Sequence, residues 1–199
     1  NDLYYGTYAN PNLKPEESTS YEIGIHHDIN NNWHVGASLY HTDIKNLIDS
    51  DDDTWVLANL SNARMQGAEA LIQWQHDDYF FKTSYHYVKA TNQVKNTDLI
   101  RRPRQTLTLS AGLQNEIYGL SASLVAKSKA KDWDTAQSTP GYATVDLHGY
   151  WQAHPNAKVF ANIQNVADTR YKSAYDGSLN GVYYVNGGRL ASIGLTLKY

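Results

Sequence analysis

The stretch Gly188 to Tyr199, GRLASIGLTLKY, alternates with a period of two and ends on an aromatic ring. Ala191, Ile193, Leu195, Leu197 and Tyr199 share one face of an extended chain, and Ser192, Gly194, Thr196 and Lys198 share the other. A soluble sandwich and a membrane barrel both produce that alternation. The number, length and connection of the remaining strands decide between them.

Working back from this stretch, the same pattern recurs along the 199 residues. Tyr21, Ile23 and Ile25 alternate with Glu22, Gly24 and His26. A second strand runs from Trp33 to about Lys45 and a third from Trp55 to Trp74, in which Gly67 could host a bulge. Tyr79 to Lys89 forms the fourth. Leu107 to Leu113 and Leu120 to Ala126 mark the fifth and sixth, Ala143 to Trp151 the seventh, and Val159 to Ile163 the eighth. The expected fold class is therefore all-β, about nine antiparallel strands. Their connections alternate: short turns near Asp28–Asn32, Gln75–Asp78, Tyr118–Gly119 and His154–Asn156, and long polar loops at Asp49–Asp53, Ala90–Pro103, Lys127–Gly141 and Asp168–Gly187. Counted from Tyr199, every long loop falls at one end. Outer-membrane barrels segregate their loops in this way, whereas a sandwich has no reason to. The strands are also long enough for a tilted crossing of about 9 to 11 residues. Trp33, Trp74, Tyr79, Trp151 and Tyr199 gather at the short-turn end, as an aromatic girdle would.

Composition fits this reading and narrows the alternatives. With no cysteine there is neither a disulfide framework nor a thiolate metal site. A net charge of −3 gives no reason to expect nucleic acid as a partner. The mean hydropathy of −0.58 and the lack of an apolar run of about 18 residues argue against a helical span, though not against a barrel, whose interior is polar. Nine strands are odd in number, and an open sheet would leave two unpaired edges in hydrocarbon. A larger barrel is expected, completed by an N-terminal remainder of the same chain; the start at Asn1, with no leader-like segment, reads as a chain entered in its middle.

Four motifs in order resemble those of one family, the TonB-dependent outer-membrane receptors. Asn10-Pro-Asn-Leu-Lys-Pro-Glu16 resembles their N-P-N-L-x-P-E stretch, and Ala63, Arg64, Gly67 and Glu69 their A-R-x-x-G-x-E strand. Asn165, Asp168 and Tyr171 resemble their N-x-x-D-x-x-Y, and Gly188-Arg189 the G-R that opens the last strand. Leu47-Ile48-Asp49 before further aspartates, and Leu99-Ile-Arg-Arg102, look most like the cobalamin receptors, although haem and ferric-siderophore receptors share the first box. The resemblance implies the C-terminal segment of a barrel of about 22 strands, with residues 1–17 an extracellular loop and 18–199 barrel wall. It implies a plug in the absent N-terminal part, energy from TonB, and a Gram-negative outer-membrane location. The barrel-assembly machinery would read Leu195, Leu197 and Tyr199, the last replacing the commoner Phe. Lipopolysaccharide and phospholipid would surround the wall.

The resemblance implies that Arg101 reaches bound cobalamin from the outer rim. Arginine offers a planar fork of donors for carboxylate, amide or phosphate, so Arg101 and Arg102 also suit lipopolysaccharide phosphate. Trp55, Trp133, Tyr175 and Tyr183 lie in or beside long loops, where rings could stack on a large ligand or anchor the rim. Asp49, Asp51 and Asp53 match the first ligands of a calcium loop, but Thr54 replaces the turning glycine and Leu60 the closing glutamate. An ordinary acidic loop is the better reading, with calcium left as a shared outer-loop site. Arg64 and Glu69 are expected on the interior wall, in structural pairs. His26, His34, His86 and His148 are expected on the polar face. No hydrolase, phosphate-loop or zinc-protease motif occurs, so a site built from His86, Asp98 or His148 with a serine has no support. The remaining rival class is a soluble β-rich binding module.

Overall fold

A computed structural model describes residues 9–50, 56–132, 138–176 and 181–198. In chain order the strands are β1 (Glu17–Asn30), β2 (Trp33–Ser50), β3 (Leu57–His76), β4 (Tyr79–Asn92), β5 (Thr97–Asp98), β6 (Gln105–Gln114) and β7 (Tyr118–Lys127). They continue with β8 (Ala130–Lys131), β9 (Ser138–Thr139), β10 (Tyr142–His154), β11 (Ala157–Gln164), β12 (Lys172–Asp176), β13 (Val182–Val185) and β14 (Leu190–Leu197). Nine long strands form one antiparallel meander in the order β1-β2-β3-β4-β6-β7-β10-β11-β14. The five short strands lie in the long connections: β5 pairs with the end of β4, while β8–β9 and β12–β13 are separate hairpins. No helix of the described residues is long and apolar enough to cross a membrane.

Cross-strand partners in an antiparallel sheet lie on the same face, so the register carries the alternation of β14 across the whole sheet. Ile193 opposes Ala161, which opposes Gly149, which opposes Leu120 and in turn Leu113 and Tyr79. From there the row runs through the neighbourhood of Trp74 to Trp33. One face is apolar from edge to edge. Trp33, Trp74, Tyr79, Tyr118 and Trp151 all lie on it at the short-turn end, and the Trp33 and Trp74 rings are 6.2 Å apart. The other face carries His26, His34, Glu69, His86, Ser110, Ser123 and His148.

Nothing among the described residues covers the apolar face. The buried hydrophobic residues among those described are three alanines, Ala63, Ala90 and Ala130, none of them on this face, whereas Ile23 is 73% and Ile193 79% exposed. Ile23, Ile25, Leu39, Leu120, Ile193, Leu195 and Leu197 are all exposed. At about 1.5–3 kcal/mol each, leaving them in water forfeits on the order of 10–20 kcal/mol, as much as the whole stability of an ordinary domain. A sandwich would bury them. An apolar solvent around a barrel wall accounts for them without a second layer.

Three expectations change. The register runs unbroken through Gly67, which opposes Tyr40 and Val88, so there is no bulge there. Glycine is required for space instead: a Cβ would stand 2.3 Å from the Tyr40 ring and 2.5 Å from the Tyr87 carbonyl oxygen. Because the count is unbroken, Arg64 shares the face of Ala68, Ala70 and Ile72 and is not an interior residue, whereas Glu69 is. The second strand does not stop near Lys45. It passes register shifts around Leu47, with Asn46 at φ 56°, and continues to Ser50, so Asp49 is a strand residue opposite Ala58.

Candidate functional site

The long connections converge through polar side chains at one end of the sheet. Arg101 is the centre of this arrangement. Its backbone sits at φ 56°, a left-handed conformation that costs a non-glycine residue on the order of 1 kcal/mol. Its contacts offset that cost. The Arg101 N–H donates to the Lys131 carbonyl at 2.7 Å, Nε donates to Asp132 Oδ1 at 2.9 Å, and Nη2 donates to the Tyr175 carbonyl at 3.2 Å. Asp132, fully buried, accepts the Tyr175 N–H on Oδ2 at 2.6 Å. One buried carboxylate and one guanidinium thereby tie the loop before β6, the loop after β7 and the β12–β13 hairpin together.

Within that hairpin the Tyr175 and Tyr183 rings meet at 5.0 Å and 59°, an edge-tilted pair. Lys172 Nζ lies 3.7 Å over the Tyr183 ring, a cation–π contact. Arg101, Tyr175 and Tyr183 are thus brought together. Arg102 is exposed beside them, with no ion pair to a described residue. Trp55, Trp133, Asp51, Asp53 and Tyr199 lie outside the described residues. No group of three or more His, Asp or Glu that could hold a metal occurs among the described residues.

The motif residues are clasps at the loop bases. The Asn10 amide donates to the Leu57 carbonyl at 2.8 Å. Asn59 accepts the Lys14 N–H and donates to the carbonyls of Lys14 and Asn46, while Glu16 Oε1 accepts the Ile48 N–H at 2.8 Å. The segment before β1 is thus pinned onto the β2–β3 hairpin. At the other side of the sheet, the Asn165 side chain accepts from the Thr169 N–H and donates to the Thr169 carbonyl. Asp168 accepts the Arg189 N–H at 2.8 Å, and both Asn165 and Asp168 sit at φ 52°. Tyr171 stacks on Tyr142 at 3.8 Å and 5°; burial first, then neighbouring Tyr142, pushes its phenol pKa up. In the loop before β6, Asp98 receives both hydrogen bonds of Arg104 Nη2 and raises the guanidinium pKa further.

On the polar face, His86 Nδ1 is 3.1 Å from Glu69, and His148 Nδ1 is 2.5 Å from the Asn162 amide oxygen. These pairs are half-exposed, and among the described residues no hydroxyl is hydrogen-bonded to either histidine and no nucleophile and base stand in a triad-like arrangement there. Asp132 and Asn59 were not anticipated. Asp132 has only an ordinary Lys-Asp-Trp context, and a contact spanning 43 residues leaves no local signature.

The sequence profile of the family described as TonB dependent receptor-like, beta-barrel matches residues 1–166. The vitamin B12 transporter BtuB of Vibrio vulnificus is 28% identical over 95% of this chain and 31% of its own length. Among solved structures, the ferric yersiniabactin uptake receptor FyuA from Yersinia pestis superposes with a TM-score of 0.79 at 19% identity, covering 92% of this chain and 30% of that one. The ferric enterobactin receptor PfeA from Pseudomonas aeruginosa, solved as a mutant, gives 0.79 at 20% identity, with 96% and 32% covered. These structures share the fold, and the chain spans about a third of the length of each relative. The family is one of transport receptors rather than enzymes. With the profile covering most of its length and nine wall strands in antiparallel order, this chain belongs to the TonB-dependent receptor β-barrel family.

Proposed function

We propose that this chain is the C-terminal wall and outer rim of a Gram-negative outer-membrane receptor that takes up cobalamin with energy from TonB. The observation that carries the substrate is the match to a vitamin B12 transporter along 95% of the chain. In this reading residues 1–17 are an extracellular loop and 18–199 barrel wall. An N-terminal remainder supplies the plug and earlier strands, and the assembly machinery reads Leu195, Leu197 and Tyr199. The long loops face outward, where Arg102, the exposed edge of Arg101, Tyr175, Tyr183, Trp55 and Trp133 contact the ligand. Calcium shared by Asp49, Asp51 and Asp53 with another outer loop belongs to the same proposal.

A second reading, haem or a ferric siderophore as ligand, is favoured by the fold neighbours, whose names include import receptors for ferric compounds. Equilibrium binding of cobalamin, haem and a ferric siderophore to the full-length receptor in detergent separates the two. Cobalamin should bind, and Arg102→Ala should weaken it about tenfold, the loss of one charge-assisted contact of about 1.5 kcal/mol. Binding of an iron compound alone would keep the receptor and overturn the substrate.

A further inference from the structure

The apolar face becomes charged just beyond its tyrosines at the loop end. The register sets Tyr21, His41, Gln66 and Lys89 side by side across β1 to β4, and Thr19, Asp43, Arg64 and Thr91 in the next row. All share the parity of Ala37, Ala68, Ala70 and Ile72, so they project from the membrane side of the wall. Arg64 lies ten residues beyond Trp74 of the opposite girdle on β3. That is about 33 Å along a strand, or about 25 Å along the membrane normal at a tilt of about 40°, which is the usual height of the apolar band. Charge at this level meets headgroups, not hydrocarbon.

The side chains here are arranged around Asp43. Arg64 Nε donates to Asp43 Oδ1 at 2.8 Å, and His41 Nε2 lies 2.9 Å from Oδ2. The Gln66 amide nitrogen is 3.1 Å from His41 Nδ1, so the ring bridges Gln66 and Asp43. Asp43 therefore holds Arg64 by one edge, and the two amino groups of the guanidinium make no bond to described residues. Exposed Lys89 opposes Gln66 and lies diagonal to Arg64, about 7–8 Å away between backbones. It has no ion pair among the described residues. A half-held guanidinium fork and an exposed ammonium at that spacing suit one phosphate group.

We propose that Arg64 and Lys89 form a binding site for a phosphate of lipopolysaccharide in the outer leaflet, with Asp43 and His41 orienting the arginine. The site is independent of which ligand the receptor imports. Its position at the loop end selects the leaflet, and the cationic pair selects an anionic headgroup over a zwitterionic one.

The test is binding of lipopolysaccharide to the full-length, delipidated receptor in detergent, followed by native mass spectrometry, with phosphatidylethanolamine and inorganic phosphate as separate arms. The paired substitution Arg64→Ala with Lys89→Ala should weaken lipopolysaccharide binding about tenfold or more, and Lys89→Ala alone several-fold. Asp43→Asn, which keeps the Oδ1 acceptor that orients Arg64 and removes only the charge that competes for it, should strengthen it. Phosphatidylethanolamine and inorganic phosphate should bind far more weakly. A heat-modifiable gel shift checks that each variant is folded. Unchanged binding in the folded double variant would overturn the site, as would weakening by Asp43→Asn. Inorganic phosphate or phosphatidylethanolamine binding as well as lipopolysaccharide would overturn the choice of ligand.

Discussion

The two ends of the wall are closed by different kinds of contact. At the short-turn end each turn is closed by its own residues, and the longer bonds, Asn32 with His76 and Asn115 with Asp78, join only turns that the neighbouring strands already set side by side. Asn30 Oδ1 accepts the N–H groups of Asn32 and Trp33, and Asn115 Oδ1 accepts those of Ile117 and Tyr118. At the loop end the bonds reach across the chain, 47 residues from Asn10 to Leu57 and 74 from Arg101 to Tyr175. A turn closed by its own asparagine forms wherever its few residues are present. A clasp between distant loops forms only after the sheet has set the loop bases side by side. The loop end is therefore the later and more conditional half of the structure, and it is also where ligand contact is proposed.

The wall on which both ends depend can be broken at one point. Gly67→Val would place a branched side chain against the Tyr40 ring and the Tyr87 carbonyl, where even a Cβ comes within 2.5 Å. Overpacking of that kind should cost about 3 kcal/mol, and because Tyr87 contributes backbone, Tyr40→Ala should not restore the variant. The readout is the fraction of full-length receptor that reaches the heat-modifiable, folded form. If Tyr40→Ala rescues assembly, the ring alone explains the glycine, and the approach of the Tyr87 carbonyl is not limiting.

The clasp breaks next. Arg101→Ala takes the guanidinium away from the buried Asp132 carboxylate. The penalty should be about 2 kcal/mol, discounted from a fully buried pair because the Arg101 side chain is 46% exposed. Hydrogen exchange of the full-length receptor should quicken in β5, β8 and β12 while the nine wall strands stay protected. Arg101→Lys should restore only part, since an ammonium cannot serve Asp132 and the Tyr175 carbonyl with one planar fork. Exchange that quickens throughout the wall would mean that the two ends are not separable.

This difference also explains what could be read from the residues. Strand number, face and order follow from a period of two, which is local, and the segregation of loop lengths needs only counting. Arg64 shows how one local assumption propagates. A bulge at Gly67 shifts the count by one and turns Arg64 inward beside Glu69, whereas the unbroken register turns it outward. The glycine was visible, but the Tyr40 ring that demands it comes from the neighbouring strand. The site was legible in its parts and not in its wiring. Arg101 and Tyr175 stand out as loop residues with useful side chains, yet nothing nearby in sequence says that Asp132 joins them. The N-P-N-L and N-x-x-D-x-x-Y stretches were recognisable as patterns, and the structure supplies their physical content: amide side chains closing loop bases, with two left-handed residues at Asn165 and Asp168.

The smallest effect should come from the turn between β1 and β2. Asn30→Ala removes an acceptor for two backbone N–H groups, but both are exposed and water replaces it. The net loss per bond is therefore at the low end of the usual range, and the total should be about 0.5–1 kcal/mol. Denaturant titration of the full-length receptor should show a small shift of the midpoint, and hydrogen exchange should quicken at 31–33 alone. The loop-end amides of β5 and β12 should not respond, because among the described residues no bond connects them to this turn except through the wall itself. If they do respond, the wall transmits strain between its ends, and the division into a locally closed end and a conditionally closed end gives way to one cooperative unit.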